Sequence, residues 1–189
     1  MDPSTRVALH FPRIHETAIV DPAARLADDV VVGPYSIIGP DVELGPGCRV
    51  ESHVRLDGPL VAGAGNRFFH GAAVGGVPQD LKYAGAQSGV RLGNDNVFRE
   101  FVTVNRATAE GAATIIGSRN LFMAYVHIAH DCVIHDHVVL ANAVNLAGHV
   151  EVEDHAIIGG VTPVHQFVRI GRYSIVGGGS RLPKDMPPS

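Results

Sequence analysis

The chain has 189 residues, of which 46% are hydrophobic and 18% are charged, and its formal net charge is −4. These values predict one folded domain with a substantial core, and they argue against disorder and against a nucleic-acid-binding surface. No apolar run is long enough for a membrane span, the N-terminus does not resemble a signal peptide, and two cysteines do not make a disulfide framework. We therefore expect a cytoplasmic protein.

A six-residue repeat begins at Ile14 and runs to Leu182, with two interruptions. Its first position occurs 26 times, and 22 of these residues are Ile, Leu or Val. The fifth position is small or β-branched, and glycine recurs at the second position, where it is expected to permit positive φ at tight corners. Three successive repeats would form one triangular coil, and stacked coils would share an apolar interior. The repeat therefore predicts an all-β parallel solenoid.

Two segments interrupt the repeat. The stretch from Pro78 to Gly89 (PQDLKYAGAQSG) is expected to form a loop that protrudes from the solenoid, and Thr108 to Thr114 a smaller one. We expect residues 1–13 to be an N-terminal lead-in, residues 14–185 to form one solenoid domain, and residues 186–189 to be a truncated C-terminal end.

Seven of the 11 histidines lie between His127 and His165. Residues three repeats apart in such a solenoid lie on neighbouring coils, about 4.7–4.9 Å apart. We therefore expect one edge of three consecutive coils to hold His127, His130, His149 and His165. Asp131 could orient the ring of His130 and stabilise its protonated form, as in a general base. The remaining histidines are expected to be solvated or stacked: His10, His15, His53, His70, His135, His137 and His155.

Five short motifs give this pattern a family resemblance. They are HIAHDC (127–132), NLAGHV (145–150), AIIGG (156–160), VHQF (164–167) and QDLKYAG (79–85). Together these motifs resemble those of the UDP-N-acetylglucosamine O-acyltransferases, which begin lipid A synthesis in Gram-negative bacteria. The similarity extends from Ile14 to Pro188. It implies a left-handed parallel β-helix with a protruding loop near residues 78–89, and a homotrimer.

The resemblance also implies a reaction. His130 would take the proton from the 3-hydroxyl of UDP-N-acetylglucosamine, whose oxygen attacks the thioester of a 3-hydroxyacyl chain on acyl carrier protein. Asp131 would hold His130, and the backbone N–H of Gly148 would receive the oxyanion. No metal and no other cofactor is expected.

Further residues are implied in binding. The sugar nucleotide would be held by His127, His149, His165 and Gln166. Residues of the protruding loop would reach the site of a neighbouring subunit: Gln79, Asp80 and Lys82. Gly178 matches a position that helps to set acyl length, and a glycine there leaves room for a longer chain.

Two other classes stay open. The γ-type carbonic anhydrases share this fold and hold zinc between subunits, and His130 and His135 have their His-x4-His spacing, although Asn94 stands where a third ligand is expected. A non-catalytic relative that only binds ligand is the other alternative. Members of the family continue past the Pro187–Pro188 pair into a helical region, whereas this chain stops at Ser189, as a fragment or as a naturally short relative.

Overall fold

The computed structural model describes residues 13–189, which fold as a stack of triangular coils. The predicted lead-in lies outside the described residues except for Arg13. Twenty-four short strands form three parallel sheets of eight strands each, and every coil contributes one strand to each sheet. The coils form the predicted left-handed parallel β-helix. Residues 13–189 contain no helix, and so no helix that could cross a membrane.

The strands are numbered β1 to β24 in chain order. Sheet 1 contains β1 (Ile19–Val20), β4 (Ile37–Ile38), β7 (Arg55–Leu56), β10 (Ala73–Gly76), β13 (Thr103–Asn105), β16 (His127–Ile128), β19 (Asn145–Leu146) and β22 (Pro163–Val164). Sheet 2 contains β2 (Arg25–Leu26), β5 (Val42–Leu44), β8 (Leu60–Ala62), β11 (Gly89–Leu92), β14 (Ala113–Ile116), β17 (Val133–Ile134), β20 (Glu151–Val152) and β23 (Arg169–Ile170). Sheet 3 contains β3 (Val31–Val32), β6 (Arg49–Val50), β9 (Arg67–Phe68), β12 (Val97–Phe98), β15 (Leu121–Phe122), β18 (Val139–Leu140), β21 (Ile157–Ile158) and β24 (Ile175–Val176).

The core follows the repeat. From Val32 onward, first-position side chains point inward and are buried. Three of them, Phe68, Phe98 and Phe122, stack along the axis with ring centroids 5.0 and 5.1 Å apart. The inward fifth position also places both cysteines in the core. Burial raises the pKa of the Cys132 thiol to about 12, so this cysteine is a packing residue.

The second-position glycines serve a different purpose from the predicted one. Among residues 13–189, Gly75 is the one second-position glycine with positive φ. Positive φ occurs mainly at the fourth position of the repeat, where the residue is usually not glycine, as at Tyr125, Asp131 and His149. A Cβ atom at Gly45 would lie 2.7 Å from the carbonyl carbon of Gly63 on the next coil. Gly45 is therefore needed because adjacent coils approach closely, not because the backbone turns there.

The register locates both interruptions of the repeat. Leu56 pairs with Val74, three repeats later, as in a regular coil. The next two coils are longer. Val74 pairs with Val104, so this coil exceeds a regular one by the length of two repeats, and Val104 pairs with Ile128, so the following coil exceeds it by one repeat. Both insertions leave the coil between a strand of sheet 1 and the next strand of sheet 2. We call this edge of the prism, which includes residues 77–88, 106–112, 129–132, 147–150 and 165–168, the first corner.

Candidate active site

The first corner brings together the residues that the histidine pattern singled out. Ile128 pairs with Leu146, and Leu146 with Val164, so the turns that follow these residues stack on three consecutive coils. The two insertions flank the same corner on the preceding coils. They are joined there by a hydrogen bond from the Gly111 N–H to the Gln87 carbonyl, 2.8 Å long. The corner is therefore a stacked column of turns with a wall of two loops on one side.

His130 and Asp131 form a hydrogen-bonded pair at this corner. Nδ1 of His130 lies 2.9 Å from Oδ2 of Asp131, and each side chain is 14% exposed. An ionised carboxylate only accepts hydrogen bonds, so Nδ1 carries the proton and Nε2 is the basic nitrogen of the neutral ring. This arrangement orients an imidazole for proton abstraction.

The carboxylate of Asp131 has a second partner. The Thr108 hydroxyl donates to Oδ2 over 2.7 Å, and the Thr108 N–H lies 3.2 Å from the same oxygen. Burial acts to raise the pKa of Asp131, but the hydrogen bonds from Thr108 and His130 outweigh it, and the pKa is lowered. Asp131 is therefore a carboxylate at neutral pH.

Gly148 lies directly against the ring of His130. A Cβ atom at position 148 would lie 2.7 Å from Nε2 and 3.0 Å from Nδ1 of His130, so only glycine fits beside this ring. Among residues 13–189, no acceptor pairs with the Gly148 N–H, whereas its carbonyl accepts from the Phe167 N–H. A free backbone donor next to an oriented imidazole is the geometry that an oxyanion site requires.

His149 also approaches the carboxylate of Asp131. Its Nε2 is 3.8 Å from Oδ2 of Asp131, and its ring meets the His130 ring edge-on, with centroids 5.2 Å apart. Phe167, on the next coil, stacks on His149 at 4.7 Å. The structure therefore brings His149 to the pair, as the coil register predicted.

An open groove of about 340 Å³ runs beside the pair, on the outer side of sheet 1. Its walls include His127, His130, Gly148, Asn145 and Gln79. Nδ1 of His127 is hydrogen-bonded to the Thr103 hydroxyl at 2.7 Å. Burial lowers the pKa of His127, and the neighbouring His130 lowers it further, so His127 is neutral at neutral pH.

The protruding loop reaches this groove in its own chain. Gln79, which is predicted to reach the site of a neighbouring subunit, also lines the groove that His127 and His130 of its own chain form. Asp80 and Lys82 follow on the loop, where the Asp80 side chain accepts the Lys82 N–H at 2.9 Å.

His165 and Gln166 lie at the first corner, one coil beyond His149. His165 is exposed, and its Nδ1 lies 3.1 Å from the Gln166 carbonyl oxygen. Neither residue is in the wall of the groove. Of the four imidazoles predicted on one edge, His130 and His149 therefore form a close pair. His127 lies in the groove wall, and His165 is exposed to solvent.

Gly178 lies on a different corner, after β24. A Cβ atom there would lie 3.2 Å from the Gly160 carbonyl oxygen on the preceding coil. The histidines that were expected to be solvated or stacked include two that stack: His137 and His155 have parallel rings 4.7 Å apart, and Tyr173 continues the column. His10 lies outside the described residues.

Two functional candidates escaped the sequence analysis. Asn145 pairs in register with His127, and their separation by three repeats could have shown it. Thr108 lies in the shorter insertion, so no repeat position predicted its approach to Asp131.

Among residues 13–189, one group of three potential metal ligands has donor atoms within 4.8 Å of one another, and it consists of His130, Asp131 and His149. His135, from the proposed zinc spacing, is instead paired with Glu151 at 3.0 Å on sheet 2. The potential metal ligands that cluster within one chain are therefore His130, its carboxylate partner Asp131, and His149, and His135 is not among them.

Comparison with known proteins agrees with this geometry. Residues 23–58 and 113–148 match the family described as bacterial transferase hexapeptide (six repeats). An acyl-[acyl-carrier-protein]–UDP-N-acetylglucosamine O-acyltransferase of Syntrophobacter fumaroxidans is 52% identical over 177 residues, 93% of this chain and 69% of its own. One of Synechocystis is 55% identical over 135 residues, 71% of this chain and 49% of its own.

Solved structures give the same result. An LpxA structure from Acinetobacter baumannii superposes with a TM-score of 0.91 at 47% identity, covering 94% of this chain and 69% of that one. A UDP-N-acetylglucosamine O-acyltransferase from Moraxella catarrhalis gives 0.89 at 45% identity, with 92% and 68% covered. Repeat and fold together define a hexapeptide-repeat transferase. Within that class, the chain belongs to the family of UDP-N-acetylglucosamine O-acyltransferases. It spans about half the length of several curated relatives that it matches.

Proposed function

We propose that this chain transfers a 3-hydroxyacyl group from acyl carrier protein to the 3-hydroxyl of UDP-N-acetylglucosamine, the first step of lipid A biosynthesis. The observation that carries the proposal is the contact between the oriented ring of His130 and Gly148, whose N–H has no acceptor among residues 13–189. Family membership supplies the substrates, because the named relatives are enzymes for this acyl donor and this sugar nucleotide.

In the proposed reaction, Nε2 of His130 takes the proton of the sugar 3-hydroxyl as its oxygen attacks the thioester carbonyl. The Gly148 N–H donates to the oxyanion, and Asp131 stabilises the imidazolium. Collapse of the tetrahedral intermediate breaks the carbon–sulfur bond, and the departing thiolate takes the proton from His130. The thioester is already activated, so positioning and one base suffice. We propose no metal or other cofactor for these steps.

The groove residues would bind the sugar nucleotide. Gln79 and His127 line the groove, where His127 is neutral and offers a polar edge without charge. The other proposed binding residues lie at the first corner or on the protruding loop: Asp80, Lys82, His149, His165 and Gln166. Gly178 is proposed to leave room for a long acyl chain.

We further propose a cytoplasmic homotrimer in which residues 14–185 form the acyltransferase domain. Gln79, Asp80 and Lys82, on the protruding loop, would reach the site of an adjacent subunit. Family membership supports this assembly. The molar mass in solution, measured by light scattering, would be three times that of the chain, and a monomeric mass would contradict the trimer.

The reaction is tested by incubating the protein with UDP-N-acetylglucosamine and a set of 3-hydroxyacyl carrier proteins of different chain lengths, then weighing the products. We expect one acylated sugar nucleotide, with the mass of the preferred 3-hydroxy acid added and one water lost. If UDP-N-acetylglucosamine binds but no acyl carrier protein yields product, the chain is a non-catalytic relative and the proposal fails.

A further inference from the structure

Thr108 makes a contact with the proposed catalytic pair that the reaction above does not use. Its hydroxyl donates to Oδ2 of Asp131 over 2.7 Å. Its backbone N–H lies 3.2 Å from Oδ2 and 3.3 Å from Oδ1. Oδ2 is also the oxygen that accepts the Nδ1–H of His130. Thr108 and His130 therefore donate hydrogen bonds to the same oxygen atom, Oδ2 of Asp131.

We propose that Thr108 is a positioning residue: it fixes the carboxylate of Asp131 in the orientation that receives the Nδ1–H of His130, and thereby directs Nε2 toward the acceptor hydroxyl. This inference rests on the proposed function, since it deepens the role of the same site.

A competing orientation of the carboxylate makes this role necessary. Nε2 of His149 is only 3.8 Å from Oδ2 of Asp131, so a carboxylate free to turn would pair with His149 instead of His130. Thr114 does not prevent this, because its hydroxyl accepts only the backbone N–H of Asp131, at 2.9 Å. Thr108 is the neighbour that holds the carboxylate itself, through both its backbone and its side chain.

The charge of Asp131 depends on the same contacts. The titratable groups that face the carboxylate are His130 and His149, while Thr108 and Thr114 are neutral. Burial alone would raise the pKa of Asp131, and the Thr108 and His130 hydrogen bonds lower it. Removal of the Thr108 hydroxyl would move this pKa upward, so Asp131 would take up a proton at a higher pH than in the native protein.

The shorter insertion exists, on this view, to deliver Thr108. A regular coil of three repeats has no spare residue to place there, and the coil that contains Thr108 is longer by the length of one repeat. The insertion is braced by the longer loop, because Glu110 accepts the Gln87 N–H at 2.8 Å. Ser88 also donates a hydrogen bond to the Ala107 carbonyl, next to Thr108.

The test compares Thr108→Val, which keeps the shape and loses the hydroxyl, with Thr108→Ser, which restores it. We expect Thr108→Val to lower kcat about ten-fold while KM for UDP-N-acetylglucosamine changes less than about two-fold. Thr108→Ser should return kcat to within about three-fold of the native value. Thr17→Val is the matched control, since the Thr17 hydroxyl accepts the Tyr35 N–H on the first coils, far from His130.

A second measurement separates this inference from the proposed function. NMR of protein with ¹⁵N-labelled histidine side chains detects the hydrogen-bonded Nδ1–H of His130, assigned by its loss in His130→Gln. We expect this signal in the native protein and its loss or exchange broadening in Thr108→Val. If the native protein makes no acylated sugar, the proposed function fails, while the NMR signal still decides the role of Thr108. A native kcat together with a native Nδ1–H signal in Thr108→Val would overturn the inference.

Discussion

The ring of His130 occupies the space into which a side chain at Gly148 would project. A Cβ atom there would lie 2.7 Å from Nε2 of His130, closer than nonbonded atoms approach. The glycine thus admits the imidazole, and its own N–H has no acceptor among residues 13–189. The first prediction follows from this contact.

Gly148→Ala should displace the ring of His130 and lower kcat by at least about 100-fold. The unfolding midpoint should change little, because the atoms that the new methyl group meets belong to one side chain at a corner of the coil. In a His130→Gln background, the same substitution should have almost no further effect. Equal losses in the two backgrounds, measured by steady-state kinetics, would show that Gly148 does not act through His130.

The second-position glycines give a stability prediction. Gly45→Ala should destabilise the fold by about 1–3 kcal/mol, because its methyl group would meet the backbone of Gly63. Gly177 occupies the same repeat position on the last full coil, and the nearest atom to its Cβ, the Ser180 hydroxyl oxygen, is 3.9 Å away. Gly177→Ala should therefore be neutral in urea unfolding. Equal effects at both positions would contradict the role of close coil approach.

His127 predicts a pH dependence of stability. Its pKa is lowered below the ordinary value of 6.5, mainly by burial. Between the lowered pKa and 6.5 the unfolded chain binds more protons than the folded one, so stability falls as the pH falls through this window, and levels off below it. His127→Gln should therefore lose less stability than the native protein as the pH is lowered from about 7.5 to about 5.5. An identical loss in urea midpoints would contradict the burial of this ring.

Metal removal separates the acyltransferase from the zinc alternative. His130, Asp131 and His149 have donor atoms within 4.8 Å of one another, but the proposed reaction uses them as a base and its supports. We expect acyl transfer to be unchanged after treatment with excess chelator and dialysis. Loss of turnover that returns on addition of zinc would favour a metalloenzyme.

The solenoid could be predicted from the sequence because its signal repeats. Burial selects apolar residues at every sixth position, and three such repeats make one coil. The spacing of the repeats therefore predicted that Ile128, Leu146 and Val164 stack. The same spacing predicted that His130 and His149 lie close together. The role of the second-position glycines could not be predicted, because the closeness of two coils is a property of the packed structure. Thr108 and Gln79 could not be placed either, since both lie in insertions where the repeat, and with it the register, is lost.

The central claim is that His130 is the general base of an acyl transfer. The most direct measurement is kcat for transfer from 3-hydroxyacyl carrier protein to UDP-N-acetylglucosamine in the native protein and in His130→Gln, with His135→Gln, which changes the Glu151 pair on sheet 2, as the control. We predict that His130→Gln lowers kcat by about 10²–10⁴-fold while His135→Gln stays within about two-fold of the native rate. Native turnover in His130→Gln would contradict the account.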